Sequence, residues 1–204
     1  MNWYPKAIQR LGPSVKVQSG RNPARGVVCH SMVGPRSAAY TVLDNVTGDR
    51  KTVGWHFSVM KDGTVEQHYP LDARVHHAGN LFANNNYIGI EHEGGLSPVT
   101  EPLTAKQREA SIALVRWIAA QSGWIPSRTG QKTLWEHNEV SDTGTQCPSG
   151  RIPWEAYLGE VMPPKAGPLD WGTFYVNGAV PVRIERRNAT TLTYVYEVRK
   201  HVKG

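Results

Sequence analysis

The chain has little cysteine: Cys29 and Cys147 are the two in 204 residues. That count excludes a disulfide-rich scaffold and a four-cysteine zinc module, and leaves room for one bridge at most. No stretch approaches the roughly twenty apolar residues that span a bilayer, and the opening segment, MNWYPKAIQRLGPSVKVQSG, lacks the apolar run of a secretory signal. The expectation is a chain made and folded in a cytoplasm, wherever it later acts. Charged residues are only 20%, while Trp and Tyr number seven and eight, the opposite of the composition that keeps chains unfolded. No repeat of fixed period is visible. The length suits one domain with a small appendage and excludes a long multidomain machine.

What is plentiful is glycine and proline, 20 and 14, which predicts short α/β elements with much of the chemistry on connections. Lys and Arg outnumber Asp and Glu by 23 to 17, a net +6 that favours an anionic partner such as nucleic acid, anionic lipid or an acidic wall polymer. Composition shifts once, at Met162-Pro163-Pro164-Lys165-Ala166-Gly167-Pro168. This places a linker over 163–168, between a domain of residues 1–162 and an appendage of residues 169–204. Residues 163–204 hold seven Lys and Arg against three acids, so +4 of the charge sits there and +2 on the rest. The main domain shows no basic groove of the kind that binds nucleic acid.

Gly26 to Val33 is a short β-branched run of the buried-strand type, ended by Pro35. Ala39, Val42, Leu43 and Val46 are spaced as one face of a helix over 35–48. Two strand-like runs, 54–60 and 64–69, flank the hairpin signal Lys61-Asp62-Gly63. A strand is expected at 87–91 and another at 133–137. Thr104 and Gln107 have capping-box spacing for a helix over 104–122, with Gly123 to end it. The interleaving predicts an α/β fold, a mixed central sheet flanked by helices. In the appendage, runs at 174–176, 180–185 and 192–198, with Asn177-Gly178 as the first turn, predict an antiparallel β-meander.

Eight histidines are many for this length. His30 closes the first strand, and His137 closes the last one of the main domain, followed by a polar loop and Cys147-Pro148. Imidazole and thiolate are zinc donors, and catalytic zinc takes three protein ligands with a fourth position for water. His30, His137 and Cys147 would make such a set; a core histidine, a turn histidine and a buried thiol are the alternative. Cys29 points to the opposite strand face from His30 and reads as a packing residue. His56, His68, His76, His92 and His201 read as surface, turn or packing residues. Asn188-Ala189-Thr190 fits a glycosylation sequon but reads as a turn.

The strings VVCHS, GWHFSVMKDGTVEQ, VHHAGN, NNNYIGIEHEGG and EHNEVSDTGTQCPSG, in this order over residues 24 to 158, resemble zinc-dependent N-acetylmuramoyl-L-alanine amidases, whose fold is shared with peptidoglycan recognition proteins and many phage lysins. The resemblance implies Zn2+ on His30, His137 and Cys147, with Glu91 as general base for the attacking water. It also implies substrate-facing roles for Trp55, His77 and Asn80, Trp55 as a groove wall and His77 as a substrate contact or as a support behind a ligand. Many relatives carry Lys two residues before the cysteine ligand; here Thr145 stands there, a weaker oxyanion donor.

The expectation is a peptidoglycan hydrolase cleaving the amide between N-acetylmuramic acid and L-alanine, in the manner of a phage or prophage endolysin. Such a protein waits in the host bacterial cytoplasm until release and then acts on the cell wall. A non-catalytic peptidoglycan-binding module of the same fold is the alternative, and a nuclease a weaker one. Bacterial peptidoglycan is the expected partner. Anionic wall polymers are a further one, through Arg183, Arg186, Arg187, Lys200 and Lys203 of the appendage; a core extension or a dimer contact is the competing reading of that segment.

Overall fold

The computed structural model describes residues 2–94 and 101–161, and the backbone of two strands beyond them. The chain divides into two units, Met1–Pro163 and Pro164–Gly204. In the second, Pro181–Arg186 (β7) and Leu192–Tyr196 (β8) pair antiparallel, with a register irregularity between Pro181 and Arg183. The linker, the strand expected at 174–176, the Asn188 sequon and His201 lie outside the described residues.

The first unit is built on a six-stranded sheet. Its strands are Ile8–Gln9 (β1), Val27–Ser31 (β2), Phe57–Val59 (β3), Val65–Gln67 (β4), Ile88–His92 (β5) and Leu134–Glu136 (β6), in spatial order β1-β4-β3-β5-β2-β6. All neighbours are parallel except the β3–β4 hairpin, so the sheet is mixed, as the interleaved elements predict. The hairpin turns where Asp62-Gly63 signals it: Gly63 takes φ +90° and the Asp62 side chain accepts from the Thr64 N–H at 2.8 Å.

Five helices join these strands: Arg36–Asp44 (α1), Leu81–Asn86 (α2), Ala105–Ser122 (α3), His137–Val140 (α4) and Trp154–Val161 (α5). In α3, the Thr104 hydroxyl accepts from the Gln107 N–H at 3.1 Å, and Gly123 ends the helix at φ +75°. The reciprocal half of the capping box is not made. Gln107 is fully buried, and its amide bridges the Val59 and Glu93 carbonyls, each at 2.9 Å, tying the helix start to β3 and to the chain just past β5.

Apolar residues lie on both sides of the sheet. Val27, Cys29, Phe57, Ile88, Ile90 and Leu134 pack against Ile112, Val115 and Ile118 of α3 and Tyr157 of α5. A second cluster gathers Met32, Ala39, Leu43, Trp55, Met60, Tyr69 and Val75, which fixes α1. Cys29 belongs to the first cluster, and burial pushes its thiol up, so it packs as an apolar group.

The first twenty residues brace the α1 side. Arg10 pairs with Asp44 at 2.7 Å, its guanidinium lies 3.7 Å over the Tyr40 ring, and its carbonyl accepts from His68 Nδ1 at 2.7 Å. Lys16 is fully buried, its Nζ donating to the Val42 carbonyl at 2.9 Å and the Val53 carbonyl at 2.7 Å. Burial lowers the pKa of that ammonium.

Candidate metal centre and cleft

Parallel register puts the chemistry in one row. His30 of β2 is paired with Glu91 of β5, and Ser58 of β3 is paired with Glu91 on its other side. On the far side of β2, Cys29 pairs with Glu136, so His137, the next residue, comes up beside His30, the two rings 4.5 Å apart between centroids. His137 opens α4, held by a capping box between Glu136 and Glu139, with Arg128 and Lys132 paired to the Glu139 carboxylate. The following loop returns to the sheet: the Asn138 N–H donates to the Cys147 carbonyl at 2.8 Å, and Cys147 Sγ accepts from the Ser31 N–H at 3.1 Å. One donor atom from each of His30, His137 and Cys147 then lies within 4.8 Å of the others.

The surroundings fix these donors. Because a carbonyl can only accept, the contact from His77 Nε2 to the Tyr87 carbonyl at 3.2 Å puts the His77 proton on Nε2 and leaves Nδ1 bare. His77 Nδ1 therefore accepts from His30 Nε2 at 3.0 Å, and His30 Nδ1 keeps the lone pair that can face a metal. Behind the strand, His92 Nδ1 donates to the His30 carbonyl at 2.9 Å; its Nε2 accepts from Ser111 at 2.8 Å, and that hydroxyl accepts from Tyr157 at 3.0 Å. Burial holds His30 well below the ordinary imidazole value, helped by His77 and His137, so the ring is neutral and able to ligate. Burial lowers His137 in the same way, against a hydrogen bond from its ring to the Ala78 backbone.

The same desolvation acts on the two acidic groups without a metal. Burial pushes the Cys147 thiol up to about 12 and the Glu91 carboxyl up to about 8, the latter offset in part by the Arg151 charge. Glu91 Oε2 is buried and has no hydrogen-bond partner. Two imidazoles and a thiol are a donor set of the kind that zinc takes, and a buried carboxyl oxygen without a partner lines the same cleft.

These residues line a cleft of about 320 Å³ together with Met32, Val33, Ala38, Ala39, Val42, Val53 and Trp55, an apolar wall, and with Arg50 and Thr145. Trp55 is buried, and its indole N–H donates to Ser58 Oγ at 2.8 Å, which in turn bonds His68 Nε2 at 2.7 Å. Its N–H is thus committed to the protein, and the indole serves the cleft as a wall. His77 also lines the cleft; it is buried, and both its ring nitrogens are taken, by His30 and the Tyr87 carbonyl. Thr145 lines the cleft and its hydroxyl accepts from the Cys147 N–H at 3.2 Å. Asn80 is not among the cleft-lining residues: it caps α2, accepting from the Ala83 N–H and donating to Asp142, both at 2.8 Å.

Sequence reasoning passed over Arg50, Ser31 and Arg151. No spacing rule marks them, because they reach the site from a 3-10 turn, from main chain and from a loop. Of the histidines read as surface, turn or packing residues, His56, His68 and His92 are buried and bonded, the packing alternative; His56 donates from Nε2 to the Ala73 carbonyl at 2.9 Å and accepts the Gly89 N–H at 3.1 Å.

A mixed sheet carrying two imidazoles and a thiol beside a buried carboxyl defines an α/β protein with a candidate metal site. The sequence profile of the N-acetylmuramoyl-L-alanine amidase family (Amidase_2) matches residues 20–150, well over half of the chain, and the chain belongs to that family. Its fold is similar to an endolysin amidase, LysCS, from Clostridium intestinale URNW (TM-score 0.54, 21% identity, 77% of this chain and 95% of that one). It is likewise similar to a mutant endolysin from Bacillus subtilis (TM-score 0.55, 22%, 76% and 97%) and to an AmpD derivative (TM-score 0.58, 18%, 79% and 97%). No curated protein matches the sequence. Among the described residues no helix is long and apolar enough to cross a membrane.

Proposed function

We propose that the chain is a zinc-dependent peptidoglycan hydrolase that cleaves the amide between the lactyl group of N-acetylmuramic acid and L-alanine, as an endolysin. Family membership supports the amidase reaction. The observation that carries the finer reading is the convergence of His30, His137 and Cys147 within 4.8 Å, next to a carboxylate oxygen without a partner. Zinc bound by these three donors would supply Lewis acidity for the scissile carbonyl and lower the pKa of water.

The chain's own residues do the rest. Glu91 takes the proton of the attacking water on its free oxygen and hands it to the leaving L-alanine amine, closing the proton balance of the hydrolysis. Thr145, on the cleft lining, offers a hydroxyl proton to the carbonyl oxygen as charge develops there. Trp55, with Val42 and Val53, forms an apolar wall against which the alanine methyl and the lactyl group can pack. His77 keeps His30 in one tautomer, and Asn80 acts through the cap of α2.

The test is digestion of purified cell wall by the zinc-loaded full chain, with mass spectrometry of the products. Muramic acid with a free lactyl carboxyl and peptides with a free alanine amine support the proposal. Zinc uptake and wall binding with no new termini would assign the chain to the non-catalytic binding modules instead.

A further inference from the structure

We infer that Arg151 is a positioning residue for the metal centre, acting through Ser31 on Cys147 and tying the strand ends that carry His30 and Glu91 to the cysteine loop. The inference rests on the metal reading above. Arg151 is 1% exposed, the largest of the fully buried side chains. Its guanidinium donates from Nη1 to Ser31 Oγ at 2.8 Å and to the His92 carbonyl at 3.2 Å, from Nη2 to the Glu93 carbonyl at 2.8 Å, and from Nε to the Glu101 carbonyl at 2.7 Å. Taking such a charge out of water costs several kcal/mol, and here the direct hydrogen-bond partners are a hydroxyl and three main-chain carbonyls rather than a carboxylate.

The places it touches are not arbitrary. Ser31 follows His30 and ends β2; His92 follows Glu91 and ends β5. Arg151 itself stands four residues after Cys147, in a turn closed by its own N–H to the Pro148 carbonyl at 3.2 Å. Ser31 is the joint: its N–H donates to Cys147 Sγ while its Oγ accepts from Arg151. Gly94 makes room for the fork, since a Cβ there would come within 2.6 Å of Nη1. A planar fork with donors in fixed directions holds three chain segments in one arrangement, which a flexible ammonium cannot. The positive charge also interacts favourably with the Glu101 and Glu93 carboxylates and with Cys147 and Glu91 in their anionic forms.

The test uses the full chain, stripped of metal and titrated with Zn2+ and with Co2+, whose thiolate charge-transfer band reports the Cys147 bond directly. Arg151→Lys keeps the charge and loses the fork; it should weaken metal binding by about 10- to 100-fold, the usual cost of losing an outer partner of a ligand, and shift the cobalt band. Ser31→Ala removes only the joint, leaves its main-chain N–H in place and is small enough to fold. It should weaken binding several-fold and shift the band the same way, while the metal-free thermal midpoint falls only by the loss of one buried hydrogen bond. A purely structural Arg151 would lower the midpoint and leave the affinity and band of the folded protein unchanged; that result in both variants overturns the inference. If the parent takes up neither metal, the metal reading itself falls, and this inference with it.

Discussion

His30 and Glu91 are register partners in adjacent parallel strands, so their side chains rise from the same face of the sheet, one the proposed metal donor and the other the proposed proton acceptor. Their separation is set by sheet geometry and not by loops, which places the carboxyl beside the imidazole without any hinge. The chemistry of the cleft depends on that rigid pairing and on what surrounds it.

Cys147→Ser should abolish stoichiometric zinc binding, because a serine hydroxyl stays protonated at neutral pH whereas a thiol ionises on the metal. Equilibrium dialysis with metal analysis checks this. The fold should survive, since Cys147 lies on a loop and its main-chain bonds to Asn138 and Thr145 do not need sulfur.

Glu91→Gln should keep zinc and lose turnover by a factor on the order of 10²–10⁴, the range for a general base. The same variant has a signature without metal. The Glu91 carboxyl is raised to about 8 by burial, so its contribution to stability is fully present below the unfolded value near 4.5 and is lost as pH rises through about 8. Urea midpoints of the metal-free parent should fall across that window relative to Glu91→Gln, by an amount on the order of a few kcal/mol at the alkaline end. Equal pH profiles for the two proteins would contradict the buried, unpartnered carboxyl.

Trp55→Phe keeps a ring on the cleft wall and deletes the donor to Ser58. Losing one bond in a buried chain that continues to His68 and the Arg10 carbonyl should cost about 1–3 kcal/mol of stability. Turnover should change little, because the indole N–H is already spent inside the protein. A loss of turnover on the Glu91→Gln scale, with stability unchanged, would mean that the indole meets the substrate after all.

Lys16→Met should leave the Val42 and Val53 carbonyls without their buried donor. The expected cost is about 1–3 kcal/mol, read as a lower thermal midpoint, together with a raised KM because both valines line the cleft. An unchanged KM with a lowered midpoint would confine Lys16 to stability.

The sheet and its main helix were legible because their signals are local: β-branched runs for β2 and β5, the Asp-Gly turn between β3 and β4, and the Thr104 cap with Gly123 for α3. Short elements were not. β1 has two residues, α4 is a single turn, and α2, with the sequence LFANNN, has low helix propensity and rests on the Asn80 cap. The converging residues His30, His137 and Cys147 could be picked by chemistry, since few residue types bind zinc and the two histidines fall at strand ends. Arg151 could not, because a buried arginine looks like any surface arginine until the carbonyls it meets and a hydroxyl 120 residues away in sequence are brought together. Gln107 shows the opposite error: its spacing fits a capping box, and tertiary structure used the amide elsewhere.

The family profile begins at residue 20, after the segment that holds Arg10 and Lys16. A chain trimmed to that boundary would retain each metal donor and Glu91 while removing the Lys16 prop beneath the cleft wall and the Arg10 anchors of α1 and His68. The cleft wall therefore has part of its support outside the region that the family profile matches, so the residues that shape the cleft are not confined to those that mark the family.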